Sequence, residues 1–239
     1  MRRGHRIAVI VPALDEADSL PGVLGSIPEW VDRVLVVDNG SSDPTPEVAV
    51  ASGAELVRAP RRGYGTAVQA GMHRLRTDPP DVLVILDADH ADPPEQMHHL
   101  VDPILDDRAD LVQSDRSRTA EAGALSFPQR FGNGLAVRLI ALTVGVRTHD
   151  MGPFRAVRFR SLLDLGMADP TWGWNVEMQM KAVHHQLRIL EVPLPYRVRR
   201  RGRSKISGSL TGAARAGVRI LAAVWRYRSP TPHPVPPTE

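Results

Sequence analysis

Apolar residues along the chain gather in short runs separated by polar, glycine- and proline-bearing segments. Ile7–Val11, Val34–Val37 and Val82–Leu86 are continuously apolar, the pattern of strands buried on both faces of a parallel sheet. Shorter strands are predicted at Glu55–Arg58, Asp110–Ser114, Phe154–Val157 and Leu187–Val192. Helices are predicted from Asp15 or Asp18 to Ile27, over Pro46–Ser52, from Gly63 to Arg74, and over Pro94–Leu105, Ser126–Val144 and Trp174–His185. Strands alternating with helices across short loops predict a doubly wound, mostly parallel α/β sheet. Pro12 is expected to close the first strand.

Two segments have a distinct helical period. In Ser126–Val144, Phe127, Phe131, Leu135, Leu139 and Leu142 recur at three- and four-residue spacing. In Leu210–Arg226, Leu210, Ala214, Gly217, Val218, Leu221, Val224 and Trp225 share one face, and Arg215, Arg219 and Arg226 the other. Docking on the protein's own core is the first expectation for this last helix, and lying on a membrane surface the second. The expected division is a main domain over 1–208, the basic amphipathic helix over 209–228, and a disordered proline-rich tail over 229–239.

A chain of 239 residues fits one sizeable α/β domain. The absence of cysteine excludes disulfides, thiolate metal sites and cysteine nucleophiles. Met1–Arg6 is basic, but the apolar run behind it ends at Pro12 and Asp15-Glu16, so no signal segment is expected. No apolar segment approaches membrane-spanning length. The expected location is the cytoplasm, with peripheral contact at the inner face of the membrane. The net charge is only +3, yet Arg197, Arg199, Arg200, Arg201, Arg203 and Lys205 crowd together. Such a cluster suits phosphates, acidic headgroups or nucleic acid.

Candidate chemistry sits behind the strands. Pro12-Ala13-Leu14-Asp15-Glu16, Asp38-Asn39-Gly40-Ser41-Ser42-Asp43 and Asp87-Ala88-Asp89 each follow a buried run, and a parallel sheet brings such ends to one edge. Neither a G-x-G-x-x-G turn nor a P-loop lysine is present, so those phosphate cradles are excluded. Two carboxylates one residue apart suit Mg²⁺ or Mn²⁺ held against a diphosphate.

The blocks IAVIVPALDEADSL, VLVVDNGSSDPT, RRGYGTAVQAG, VLVILDADHADPP, MGPFRAVR and GRSKISGS occur in an order and spacing that resemble family 2 glycosyltransferases of the GT-A fold. Within that family they resemble the dolichyl-phosphate mannose synthase-like branch. The resemblance implies a metal-dependent, inverting transfer of a hexose from a GDP-mannose- or UDP-glucose-type donor to a polyprenyl phosphate. It implies that Pro12, Ala13 and Glu16 line the nucleoside pocket and that Asp38 accepts an N–H of the base. Gly63 and Gly65 would let backbone approach the nucleotide, Asp87 and Ala88 would face the donor, and Asp87 and Asp89 would hold Mg²⁺ or Mn²⁺. Arg116 and Arg130, with Arg203, Ser204 and Lys205, would meet the acceptor phosphate, as guanidinium groups grip phosphate bidentately. Asp150 would position the donor diphosphate region or its loop. Ala91 stands where the branch usually carries a metal-binding Gln, leaving a water or Asp92 to complete the shell.

A phosphate acceptor is already ionised and needs no general base, whereas a hydroxyl acceptor does. Glu177 is the candidate base for the alternative, a soluble hydroxyl acceptor. Trp172 and Trp174 suit either stacking on a sugar ring or core packing. A non-catalytic nucleotide-sugar binding module is the alternative of another class, and the intact Asp87-Ala88-Asp89 argues against it. No nucleic-acid partner is expected.

Overall fold

The computed structural model describes residues 1–199 and 221–229. Seven strands form one sheet: β1 Ile7–Ala13, β2 Arg33–Asp38, β3 Glu55–Arg58, β4 Val82–Ile85, β5 Leu111–Asp115, β6 Arg155–Arg158 and β7 Ile189–Pro193. Their order is β3-β2-β1-β4-β6-β5-β7. Pairing is parallel except around β6, which runs antiparallel to both β4 and β5. The helices are α1 Leu20–Gly25, α2 Thr45–Ala51, α3 Tyr64–Leu75, α4 His98–Leu105, α5 Phe127–Val144, α6 Phe159–Asp164 and α7 Trp174–His184. A last helical segment, α8, is described over 221–227.

Alternation along β1 shows why its run is continuously apolar. Ile7, Val9 and Val11 pack in one cluster with α1, α2 and α4 residues, while Ala8 and Ile10 pack in the other with α3, α6 and α7 residues. β1 does not stop at Pro12, as expected, but runs on to Ala13, with Pro12 opposite Val37 of β2. Ile10 accepts the Leu86 N–H on the β4 side, and Pro12, two residues on, faces that same side after the β4 pairing has ended. Its missing donor therefore breaks no ladder bond.

The sheet grows from β1 through β2 to β3, then returns across α3 to place β4 on the other side of β1. The strand order reverses between β1 and β4, and such a switch point leaves a crevice outside the carboxyl ends of the two strands. Ala13 and Asp87–Asp89 lie at that position.

The period in α5 is real, but its apolar face points outward. Ala136 and Ile140 are buried, whereas Phe127, Phe131 and Leu142 are exposed. In α8, Ala223, Val224 and Tyr227 join Ile140, Val176 and Met180 in a buried cluster, while Leu221 and Trp225 are exposed. The face expected to dock, with Leu221 and Trp225 on it, is thus only partly the docked one. The remainder of the 209–228 helix, apart from 221–228, lies outside the described residues, as does the tail beyond Ser229. Among the described residues no helix is long and apolar enough to cross a membrane.

Candidate active site

The three strand-end loops are knitted by their own short polar side chains. The Asp15 N–H donates to Ser41 Oγ (2.9 Å), Glu16 N–H to Thr45 Oγ1 (2.8 Å) and Ala17 N–H to Asp43 Oδ2 (3.1 Å). Ser42 N–H returns to Asp15 Oδ1 at 2.6 Å. Ser19 Oγ ties the first loop to the third by donating to the Ala88 carbonyl at 2.8 Å. Asn39 Oδ1 accepts the Gly63 N–H at 2.9 Å and so fixes the start of α3.

These loops form one wall of a cavity of about 930 Å³, of the size that takes an extended small-molecule ligand. Pro12, Ala13, Glu16, Asp87, Ala88 and Asp89 line that wall, and Arg116 and Arg130 line the same cavity. These eight residues, with Asp150 and Trp172, are therefore brought together. Asp38, Gly63, Gly65 and Glu177 are not among the lining residues, and Arg203, Ser204 and Lys205 lie outside the described residues.

The exceptions have physical reasons. Asp38 is buried, and its Oδ1 accepts the Ser41 N–H at 3.0 Å, which shapes the loop; Asn39 takes the place on the cavity wall. The backbone that Gly63 and Gly65 approach is not a ligand's but the chain's own. A Cβ on Gly65 would stand 1.9 Å from the Asp169 carbonyl oxygen, and one on Gly63 2.2 Å from that of Pro170. Gly63 also has φ +149°, a conformation other residues rarely adopt. This contact lets Thr66 N–H bond to the Pro170 carbonyl (3.1 Å) and locks the 169–172 loop against α3.

Glu177 is fully buried and does not line this cavity. Its carboxylate accepts N–H bonds from Ala168 (2.9 Å) and Asp169 (2.7 Å) and pairs with Lys181 at 2.7 Å. Lys181 Nζ in turn donates to the Gly166 carbonyl at 2.6 Å. The pair fastens α7 to the segment that leads into the 169–172 loop. Trp174 is likewise core, whereas Trp172 lines the cavity, stacked on Tyr64 with ring centroids 5.1 Å apart.

Arg116 is held by a buried bidentate pair. Its Nε donates to Asp150 Oδ2 at 2.7 Å, its Nη2 to Oδ1 at 3.0 Å, and its backbone N–H to Oδ2 at 2.8 Å. Burial acts to raise the Asp150 pKa, but bonding to Arg116 wins and holds it below the usual carboxylate range. Asp150, expected to position the donor diphosphate region or its loop, lines the cavity and aims Arg116. The guanidinium also lies over Tyr196, 4.9 Å from its ring centre, and Tyr196 is another cavity residue.

At the sheet edge, burial and then the charge of Asp89 push Asp87 up to about 7. Asp89 Oδ1 accepts the Ala91 N–H at 2.9 Å, and Oδ2 meets Arg199 Nη2 at 2.7 Å. Arg199 Nη1 is 3.9 Å from Glu16. A crowded acidic pair that already recruits an arginine suits a divalent cation, because added positive charge relieves the repulsion that raises Asp87. Among the described residues no group of three or more metal-ligating side chains occurs. Asp92, the candidate for completing the shell, is buried with both carboxylate oxygens unbonded, and it does not line the cavity.

Arg199, Tyr196, Asn39, His149 and Trp172 also line the cavity. Arg199 was visible only as one member of a basic run, and nothing in that run marks it as one that turns inward.

A sheet of order 3-2-1-4-6-5-7 with a single reversed strand, opening at the β1–β4 switch point on a carboxylate pair, defines the GT-A class of glycosyltransferases. The chain belongs to glycosyl transferase family 2, whose sequence profile matches residues 8–166. It is similar to an uncharacterized glycosyltransferase of Mycobacterium tuberculosis, with 38% identity over 212 residues covering 88% of this chain and 94% of the relative. A dolichyl-phosphate hexose transferase of Haloferax volcanii is 34% identical over 214 residues, covering 87% and 90%. Among solved structures, glucosyl-3-phosphoglycerate synthase of M. tuberculosis in complex with Mn²⁺, UDP and glucosyl-3-phosphoglycerate superposes with a TM-score of 0.74 at 24% identity. That match covers 96% of this chain and 82% of the synthase. The protein is therefore a glycosyltransferase.

Proposed function

We propose that this enzyme transfers a hexose, with inversion, from a nucleotide-diphosphate sugar to a polyprenyl phosphate. The observation that carries the proposal is the pairing of two unlike walls in one cavity. Asp87 and Asp89 stand at the sheet edge, and Arg116, aimed by Asp150, stands with Arg130 on the acceptor side. Glu177, the carboxylate that a hydroxyl acceptor would have used, is locked in the core. An acceptor phosphate needs no base, because its oxygen attacks already ionised. Arg116 presents a fixed guanidinium to it, and the Asp150 pair spends no ordering entropy when the acceptor arrives. The name of the Haloferax relative, a dolichyl-phosphate hexose transferase, supports the same acceptor class.

Asp87 and Asp89 would hold Mg²⁺ or Mn²⁺, which supplies charge stabilisation to the departing diphosphate. The Mn²⁺ and UDP in the structure of the M. tuberculosis synthase support that donor chemistry. Trp172 on Tyr64 offers an aromatic face at the cavity wall for the hexose ring. Peripheral contact with the inner face of the membrane would bring the enzyme to a lipid acceptor.

One observation favours a second reading, a soluble hydroxyl acceptor. His149 lines the cavity, and its Nδ1 lies 2.7 Å from Glu191 Oε2, a carboxylate-oriented imidazole of the kind that serves as a base. Turnover assays with UDP- and GDP-hexoses, with and without Mn²⁺, against a polyprenyl phosphate and against phosphoglycerate separate the two. Transfer to the lipid phosphate that survives His149→Gln and collapses in Arg116→Gln is expected. Transfer only to a hydroxyl, lost in His149→Gln, overturns the proposal.

A further inference from the structure

A helix on the surface of a soluble domain normally buries its apolar stripe and shows water its polar one. α5 does the reverse. At ~100° per residue, Phe127, Phe131, Leu135 and Leu142 fall within an arc of about 80°, and buried Ala136 and Ile140 lie on the opposite side. Phe127 is 80% exposed, Phe131 64% and Leu142 84%. α8 repeats the arrangement: Ala223, Val224 and Tyr227 face the core, while Leu221 and Trp225 face out, Trp225 being 69% exposed. Both helices rest on the same buried cluster around Ile140, Val176 and Met180.

The charges on these helices have one sign. From Ala122 to His149 the chain carries Arg130, Arg138 and Arg147 and no Asp or Glu. Between Glu191 and Glu239 it carries no acid at all. Arg130, Arg138, Arg147, Arg226 and Arg228 are all exposed, and Arg138 lies within the outward apolar arc of α5. Arg228 also lies 3.5 Å from the centre of the Trp225 ring, an aromatic–cation pairing with its apolar body and charged head side by side. This surface also reaches into the active site. Phe127, Phe131 and Leu135 belong both to the outward stripe and to the cavity wall, next to Arg130.

We propose that the outward faces of α5 and α8 dock on an anionic lipid bilayer. The aromatic and leucine side chains enter the headgroup–acyl boundary, and the arginines meet the acidic headgroups. Docked in this way, Phe127, Phe131 and Leu135 carry the bilayer boundary to the cavity wall, so a lipid-linked phosphate reaches Arg130 and Arg116 with its chain still in an apolar medium. This docking surface builds on the lipid-phosphate acceptor proposed above, but its test does not depend on turnover.

The test is flotation of the full-length protein with vesicles of phosphatidylcholine, with and without phosphatidylglycerol. Binding to the anionic vesicles, weakened by salt, is expected. The double variant Leu142→Ser/Trp225→Ser, at two positions that do not line the active-site cavity, should lower partitioning by about tenfold. Arg138→Glu should remove the preference for phosphatidylglycerol. The thermal midpoint and the transfer to a short-chain phosphate acceptor without vesicles should stay unchanged in these variants. Wild-type protein that stays with the buffer, or partitioning indifferent to all three substitutions, overturns the proposal. So does sedimentation as a dimer that Leu142→Ser dissociates, which would make a second copy the occupant. Vesicle binding without transfer to any lipid phosphate would leave the docking surface standing and sink the acceptor assignment instead.

Discussion

Arg199 Nη2 lies 2.7 Å from Asp89 Oδ2, so the carboxylate best placed for a cation is already engaged by the chain's own guanidinium. A divalent ion must share or displace that charge, and two cations on one carboxylate repel. In Arg199→Gln, Mn²⁺ added without nucleotide is expected to bind about tenfold more tightly, equivalent to ~1.4 kcal/mol. Calorimetric titration with the metal alone checks this. Unchanged or weaker Mn²⁺ binding would show that Arg199 does not compete for the site.

Asp87 supplies a pH dependence. Burial and Asp89 raise it from 3.8 to about 7, so between those values the folded protein holds a proton that the unfolded chain has released. Its contribution to stability is fully present below the unfolded value and is lost as pH rises through about 7. Thermal midpoints of the metal-free protein should therefore fall across roughly pH 4 to 7, and Asp87→Asn should flatten the decline. The rise in midpoint on adding Mn²⁺ should grow over the same range, because the ion binds the carboxylate that is shedding its proton.

Glu177→Gln tests a structural role against a catalytic one. Breaking the buried pair strands Lys181, at a cost of about 3–5 kcal/mol. Urea unfolding should show that loss. The paired replacement Glu177→Gln/Lys181→Met should recover much of it, while kcat stays near the wild-type value at a temperature where all are folded. A collapse of kcat in the doubly substituted, stable protein would restore Glu177 to the chemistry.

Gly65→Ala should be destabilising far beyond an ordinary glycine replacement. Its Cβ would stand 1.9 Å from the Asp169 carbonyl oxygen, so α3 or the 169–172 loop must move. A loss of about 1–3 kcal/mol is expected, with weaker donor binding because Trp172 rides on that loop. Gly25→Ala, which meets no atom within 4 Å, is the control and should be neutral. Thermal unfolding and KM for the donor check the pair.

The buried strands, their parallel order and the carboxylate pair were legible because each is a local signal. Apolar runs such as Val82–Ile85 need both sheet faces covered, and Asp87 and Asp89 follow directly from where that run ends. Element ends were less legible. Pro12 extends β1 because its unpaired side happens to lie where β4 has stopped, a fact about a neighbour and not about proline. The short α6 went unseen because six residues of Phe159–Asp164 carry too little periodicity.

The sequence by itself determined the class of fold, the edge at which the candidate site lies and the acidic and basic residue types that line its cavity. It did so because strand period and strand-end position are properties of consecutive residues. Only the tertiary structure decided which of those residues work together. Glu177 and Lys181 neutralise each other in the core, Gly63 and Gly65 make room for the chain's own carbonyls, Asp150 aims Arg116, and one arginine of a basic run turns in to Asp89. The same holds for α5, whose apolar period reads alike whether it faces core or solvent. A helix shows its period in sequence, but what lies opposite each face is set by elements far away along the chain.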